Sequence, residues 1–108
     1  MTDIKIYSGF MRQALEQAKA SYTEDEVPVG AVVVYENRII GVGRNKSISQ
    51  NNPTAHAEII AIQQASNYIK NYRLVNCDLY VTLEPCIMCL GAIFHARINR
   101  LFFGAWDT

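Results

Sequence analysis

The sequence lacks an excess of charge of either sign, since ten basic and ten acidic side chains leave a formal net charge of zero. A neutral chain has no basic surplus of the kind that marks most nucleic-acid-binding proteins, so any contact with RNA must depend on local placement of charge. The sequence also lacks an apolar run long enough to span a bilayer, and its N-terminus lacks the basic-then-apolar order of a signal peptide. We therefore expect a cytoplasmic protein with no membrane partner.

Cysteine is scarce and odd in number, with three residues in the whole chain. Three cysteines without a secretory signal do not make a disulfide framework, which again favours a reducing cytoplasm. Apolar residues, by contrast, make up half of the 108 residues, which excludes an intrinsically disordered chain. That length fits one domain, residues 1–108, and leaves no room for a second core.

Hydrophobic periodicity predicts seven elements in the order α-β-β-α-β-α-β. The predicted segments are a helix over 3–21, strands over 29–35 and 38–42, a polar loop over 43–53, a helix over 54–66 with Thr54 as N-cap, a strand over 79–83, a helix over 86–96 opened by Pro85, and a strand over 100–104. The last strand–helix–strand has a short crossover of the kind that joins parallel strands. The prediction is an α/β fold, a three-layer α/β/α sandwich with a mixed sheet and helices on both faces.

Two clusters of candidate metal ligands stand at predicted helix starts. Cys86 and Cys89 are three residues apart, so their sulfur atoms project from one face of the helix. The positive end of the helix dipole lowers thiol pKa values and favours the thiolates that zinc requires. A C-x-x-C pair alone also fits a redox site, but His56 and Glu58 add a second cluster of the same architecture.

The number of ligands indicates what kind of zinc site to expect. The candidates are His56, Cys86 and Cys89. A structural zinc has four protein ligands, whereas a catalytic zinc keeps one position open for water. The remaining candidates are weaker, because His95 falls on roughly the opposite side of the helix from Cys86 and Cys77 is more simply a small core residue. Glu58 can overhang the open position without ligating, which describes a zinc-activated water with a proton shuttle.

The combined pattern H-x-E followed by P-C-x-x-C is the signature of zinc nucleobase deaminases. Other segments extend the resemblance over nearly the whole chain: VPVGAVVV, PTAHAEI, NYRL, LYVTLEPCIMC and FFGAWD. The chain resembles the bacterial tRNA-specific adenosine deaminases of the cytidine/deoxycytidylate deaminase superfamily. That resemblance implies a cytidine-deaminase-like fold, one zinc per chain, a homodimer, and conversion of the wobble adenosine of an arginine tRNA anticodon to inosine.

The resemblance also assigns roles residue by residue. It makes His56, Cys86 and Cys89 the zinc ligands and Glu58 the general acid/base. It implies that Asn45 binds the flipped base with help from the Ala57 N–H, that Val29 and Leu83 line the pocket, and that Asp107 lies near the ribose.

The chain departs from this family at its C-terminal end. The resembling deaminases continue into a further strand and helices, so we expect a C-terminally truncated domain. On that expectation Leu101, Phe102, Phe103 and Trp106 form an apolar cluster with no later helix to cover it.

Three alternatives remain open. A deaminase of the same superfamily acting on a free base or nucleoside, of the guanine or cytosine type, shares the zinc motif. A non-catalytic zinc-stabilised binding module is disfavoured by Glu58, because a structural zinc needs no such carboxylate. A redox C-x-x-C pair is more distant still.

Overall fold

The computed structural model describes residues 4–104 of the chain. The elements follow the predicted order: α1 (Ile4–Thr23), β1 (Gly30–Tyr35), β2 (Arg38–Arg44), α2 (Ala57–Ile69), β3 (Asp78–Val81), α3 (Ile87–His95) and β4 (Arg100–Phe103). None of the helices in this described part has the length and apolar character needed to cross a membrane.

The four strands form one mixed sheet in the order β2-β1-β3-β4. Strand β1 runs antiparallel to both β2 and β3, whereas β3 runs parallel to β4. The parallel pair is the one joined through α3, as the short crossover predicts. Within the described residues, β2 and β4 are the two edges of the sheet.

Helices cover both faces of the sheet, so the three-layer prediction is confirmed. On one face, Val32, Val34 and Tyr80 pack against side chains of α1 such as Phe10. The other face carries the larger core, in which strand residues meet the alanines of α2 and the inner side of α3. That core includes Ala31, Val33, Leu79, Val81, Ala57, Ala61, Ala65, Ala92 and Ile93.

The predicted start of α2 is wrong by three residues and that of α3 by one. Thr54 is not the N-cap of α2, because its hydroxyl donates to Asn52 Oδ1 at 2.8 Å in the preceding turn. The N-cap is His56 instead. In the same way α3 begins at Ile87 with Cys86 as its N-cap, one residue later than predicted. Both changes move a candidate metal ligand to the very end of a helix.

Strand β3 is shorter than the predicted segment, since it ends at Val81. Thr82 still accepts a hydrogen bond from the Gly30 N–H through its hydroxyl oxygen, at 3.2 Å. Leu83 lies beyond this last contact with β1 and is half-buried. The chain therefore leaves the sheet just before the E-P-C motif.

The expected uncovered cluster on the last strand is wrong for the residues that the structure describes. Phe102 stacks on Tyr80 with ring centroids 4.6 Å apart, on the α1 face. Leu101 and Phe103 pack against the core of the opposite face, and all three are half-buried. Trp106 and Asp107 lie outside the described residues.

Close approach of α2 to the sheet depends on Gly43 in β2. A Cβ atom at this position would overlap the carbonyl oxygen of Ala57 in the first turn of α2. We expect Gly43→Ala to lower the free energy of unfolding by about 1–3 kcal/mol, because the helix must move away from the strand. Urea denaturation measures this loss.

Gly9→Ala is the matched control, because a Cβ there meets no atom within 4 Å. Since Gly9 lies inside α1, the added methyl group should raise stability by about 0.5–1 kcal/mol. Equal stability of Gly43→Ala and the unchanged protein would contradict the close-packing argument.

Candidate active site

Two helix N-termini converge on the candidate metal ligands. His56 and Cys86 are the N-caps of α2 and α3, with extended backbone angles of φ −82°, ψ 154° and φ −73°, ψ 172°. Neither side chain caps its own helix with a hydrogen bond. Their side chains are therefore free to point past the helix ends, and Cys89 lies within the first turn of α3, fully buried.

The spacing of these three side chains fits a tetrahedral zinc ion. The Sγ atoms of Cys86 and Cys89 each lie 3.6 Å from Nδ1 of His56. Bonds of about 2.3 Å to sulfur and about 2.0–2.1 Å to nitrogen at tetrahedral angles would put the two donor atoms about 3.6 Å apart. All ligand atoms of the group lie within 4.8 Å of one another. The donor set therefore suits zinc, with Nδ1 as the histidine donor.

The two weaker candidates do not join this group. Among residues 4–104, the only set of three metal-binding side chains brought together is His56, Cys86 and Cys89. Cys77 is fully buried in the main core, and His95 is exposed near the end of α3. The group thus offers three protein ligands and keeps a fourth position open.

Glu58 is buried in the first turn of α2, with 4% of its surface exposed. Burial raises the pKa of its carboxyl above the ordinary value, and hydrogen bonds from its own backbone N–H and from the Cys89 thiol only partly offset this. The carboxyl is thus beside the metal-binding group without belonging to it. This is the position that the sequence predicts for a proton carrier.

At Cys89, burial opposes the lowering of the thiol pKa that the helix terminus predicts. Burial, and then the negative charge of Glu58, raises the pKa of this thiol well above its ordinary value. The partial charge of one helix end does not outweigh the loss of water around a fully buried sulfur. A bound dication would supply the missing positive charge, which is a further reason why the donor set suits a metal.

A pocket of about 220 Å³ opens beside the metal-binding group. Its lining residues are Val27, Val29, Asn45, His56, Glu58, Leu83, Glu84 and Cys86. Pockets for drug-sized ligands measure about 300–1,000 Å³, so this one suits a ligand no larger than one or two fused rings. The structure therefore places the predicted residues Val29, Asn45 and Leu83 in the lining of one pocket, together with the candidate ligands His56 and Cys86.

Sequence reasoning missed two lining residues, Val27 and Glu84. Val27 is two positions before Val29, and the Val29 N–H donates to the Val27 carbonyl oxygen at 2.8 Å in a tight turn around Pro28. Glu84 directly precedes Pro85 in the E-P-C motif. Both signals were present in the sequence, next to residues already singled out.

Asn45 caps α2 from a distance. Its Oδ1 accepts the N–H of Ala57 at 2.8 Å, which satisfies the first donor of a helix whose own N-cap side chain makes no such bond. The Ala57 N–H, predicted to help hold a base, is therefore already occupied by Asn45. Because only the amide oxygen can accept this bond, Nδ2 is left as the donor group of the Asn45 side chain.

Comparison with known proteins agrees with this geometry. The family model for the cytidine and deoxycytidylate deaminase zinc-binding region matches residues 4–105. The tRNA-specific adenosine deaminase of Haemophilus influenzae is 60% identical over 98 residues, which cover 90% of this chain and 57% of that protein. The Buchnera aphidicola (subsp. Baizongia pistaciae) protein of the same name is 59% identical over 96 residues, covering 89% and 59% respectively. The chain thus spans less than two thirds of the length of these relatives.

Solved structures lead to the same family. A structure from work on A-to-I editing by tRNA:A34 deaminases superimposes with a TM-score of 0.91 at 48% identity, covering 93% of this chain and 72% of that one. The guanine deaminase of Bacillus subtilis superimposes with a TM-score of 0.89 at 40% identity, covering 92% and 64%. With the matched region, the shared fold and the three-ligand group all in agreement, the chain belongs to the cytidine and deoxycytidylate deaminase zinc-binding family.

Proposed function

We propose that this chain forms one zinc-dependent deaminase domain. The domain would convert adenosine to inosine at the wobble position of the anticodon of an arginine tRNA. The observation that carries the proposal is a single pocket lined by three kinds of group. These are His56 and Cys86 of the metal-binding group, a buried carboxyl that is not a ligand, and an amide whose donor side faces the pocket. Hydrolytic deamination needs all three: an activated water, a proton carrier and a contact that holds the base.

His56, Cys86 and Cys89 would hold the zinc through Nδ1 and two thiolates. Zinc in a site with an open position lowers the pKa of water and so supplies a nucleophile at neutral pH. Glu58 would carry two protons in turn, the first from the attacking water to the ring nitrogen and the second from the newly added hydroxyl group to the amine, which leaves as ammonia. Its burial keeps the carboxyl beside the open position rather than turned towards solvent.

The base would be held by Asn45 and two apolar side chains. The Asn45 Nδ2 group would donate to an acceptor atom on the ring, while Oδ1 stays on the Ala57 N–H. Val29 and Leu83 line the same pocket and would contact the base through their apolar surfaces. A contact of Asp107 with the ribose remains part of the proposal, on a residue outside the described part of the chain.

A free-base deaminase is the second candidate, because the guanine deaminase of Bacillus subtilis is a structural neighbour. A donor amide does not separate the two, since both purines present a ring-nitrogen acceptor. What supports the tRNA substrate is the identity of about 60% to proteins named tRNA-specific adenosine deaminase.

Substrate choice is tested by measuring inosine formation in an arginine-tRNA anticodon stem–loop, alongside free adenosine, cytidine and guanine. We expect turnover of the stem–loop and of none of the three free compounds. The bases of an anticodon loop are already unstacked, so extruding one of them costs little free energy. Turnover of free guanine at an equal or higher rate would replace this proposal with the second candidate.

We also propose that two copies associate and that the protein acts in the cytoplasm, where its tRNA substrate is found. Helix α3 supports association, because Ile87, Leu90 and Phe94 are 89%, 46% and 69% exposed along one apolar stretch of it. Exposed apolar surface of this kind commonly marks a protein interface. Light scattering at several protein concentrations tests it, and a monomer throughout would contradict the dimer.

Two substitutions at Asn45 separate its two hydrogen bonds. Asn45→Asp keeps an oxygen for the Ala57 N–H and removes the donor, whereas Asn45→Ala removes both. We expect each to lower kcat/KM on the stem–loop by about 10- to 100-fold with zinc content unchanged, and only Asn45→Ala to loosen the start of α2. Activity of Asn45→Asp equal to that of the unchanged protein would exclude Nδ2 as the base contact.

A further inference from the structure

A buried carboxylate outside the pocket, Glu26, organises the loop that carries Asn45. Only 6% of its surface is exposed, although it lies in the short segment between α1 and β1. Its Oε1 accepts the Ile48 N–H at 3.1 Å and its Oε2 accepts the Ser49 N–H at 2.8 Å. These bonds reach 22 and 23 residues along the chain, so their effect is on tertiary structure.

Ser21, at the end of α1, completes the arrangement. Its hydroxyl, fully buried, donates to the Asn45 carbonyl oxygen at 3.2 Å. Its own carbonyl oxygen accepts the backbone N–H of Glu26 at 2.9 Å. Ser21 and Glu26 are thus tied to each other, and together they hold the 45–49 segment at both ends. We call this pair the loop clamp.

The hydrogen bonds that the Glu26 carboxyl accepts are stronger than bonds between neutral groups. Burial alone would raise the pKa of Glu26, but the N–H groups of Ser49 and Ile48, together with the Ser49 hydroxyl, outweigh it and bring the pKa below the ordinary value. The carboxyl is therefore ionised at neutral pH, and each bond to it is charge-assisted. Ile48 and Ser49 are exposed, and their other hydrogen bonds are local ones, from the Asn51 N–H to the Ile48 carbonyl and from the Ser49 hydroxyl to the Lys46 carbonyl.

From these contacts we propose that Glu26 is a positioning residue, which holds the 45–49 segment so that the Asn45 amide stays on the Ala57 N–H and faces the pocket. The inference rests on the proposed function only for the role of Asn45 towards a base. The link runs by hydrogen bonds from Glu26 to Ile48 and Ser49, along the backbone from there to Asn45, and by a hydrogen bond from Asn45 to the first turn of α2.

Amide hydrogen exchange tests the positioning without any substrate. In Glu26→Ala, exchange should accelerate about tenfold at Ile48 and Ser49, which lose their acceptor, and also at Ala57, which is protected through Asn45. Glu16→Ala is the matched control, an exposed acid of α1 whose ion pair with Lys19 is local. If the exchange rate of the Ala57 amide is the same in Glu26→Ala as in the unchanged protein, Glu26 has only a local role and the proposal is overturned. This result does not depend on which substrate the chain deaminates.

A double-mutant cycle tests the consequence for catalysis. Glu26→Ala alone should lower kcat/KM on the stem–loop by about 10- to 100-fold, with zinc content unchanged. A loss of this size is expected when the Asn45 amide is displaced from the base that it contacts. In an Asn45→Ala background the same change should cost less than about threefold, since the amide it positions is gone. Glu26→Gln, which keeps one acceptor oxygen, should recover part of the loss.

The outcomes are distinguishable from a failure of the proposed function. Equal losses from Glu26→Ala in both backgrounds would mean a general structural role and would overturn the positioning. If the unchanged chain deaminates none of the four substrates, the proposed function fails, and the exchange rate at Ala57 still decides the positioning.

Discussion

Replacing Glu58 by Gln should slow deamination by orders of magnitude while leaving the metal centre intact. Gln has nearly the same size and shape as Glu, so it fits the same buried position in the first turn of α2. It has no carboxylate to accept a proton, and positioned proton transfer contributes about two to four orders of magnitude to a rate. We therefore expect kcat on the stem–loop to fall by about 10²- to 10⁴-fold.

Zinc content and folding serve as the internal controls for Glu58→Gln. The carboxyl is not among the three candidate ligands, so metal analysis should still find about one zinc per chain. Glu16→Gln, on the exposed side of α1, should keep full activity. Appreciable activity in Glu58→Gln would move proton transfer to another group, and loss of zinc would make Glu58 a ligand.

The second large effect, on zinc content and on activity, is expected from removal of the candidate ligand Cys86. Cys86→Ser should lower zinc content from about one per chain to a small fraction, because a neutral hydroxyl is a much poorer donor than a thiolate. Activity should be lost with the metal. Cys86 is the better choice of the two cysteines of the motif, because it is exposed and its replacement leaves the core unchanged.

The third cysteine of the chain provides the matched control for Cys86→Ser. Cys77 is buried in the core and is not part of the metal-binding group, so Cys77→Ala should keep zinc and lose only packing energy, about 1 kcal/mol. The prediction is checked by metal analysis and by thermal melting with and without a chelator. Full zinc occupancy in a His56→Ala, Cys86→Ser double variant would show that the metal binds elsewhere.

Metal binding should also stabilise the fold measurably. The ligands belong to two helix termini that are distant in sequence, so the metal joins α2 to α3 in the folded state alone. Binding that favours the folded state raises the melting temperature by mass action. The chelator should therefore lower the melting temperature of the unchanged protein and of Cys77→Ala, but not that of the double variant.

The element order was predictable because each element is encoded locally. Apolar residues recur at helical spacing along α1, a β-branched run marks β1 and a short apolar run marks β3, so no distant contact is needed to recognise them. The parallel pairing of β3 and β4 followed from the length of their connection. The helix starts were less predictable, because Thr54 is a good N-cap by type and yet bonds to Asn52 instead.

The metal-binding group was also predictable from the sequence by itself. Cys86 and Cys89 are one helical turn apart, and His56 stands at another helix start, so residue type and local spacing carry the chemistry of the site. The count of three ligands then indicated an open position without reference to any structure. The family resemblance added Asn45, Val29 and Leu83, and the structure brings those three to the pocket.

Only the tertiary structure decided how these groups act on one another. Burial raises the pKa of the Cys89 thiol against the effect of the helix terminus, since a sequence does not state how much water surrounds a sulfur. The Ala57 N–H is bound to Asn45, and Glu26 is bound to a loop 22 residues away, because a carboxylate or an amide has many possible donors until the chain is folded. Residue type and spacing thus determined which chemistry is available, whereas long-range hydrogen bonds and exclusion of water determined where each donor and acceptor is directed.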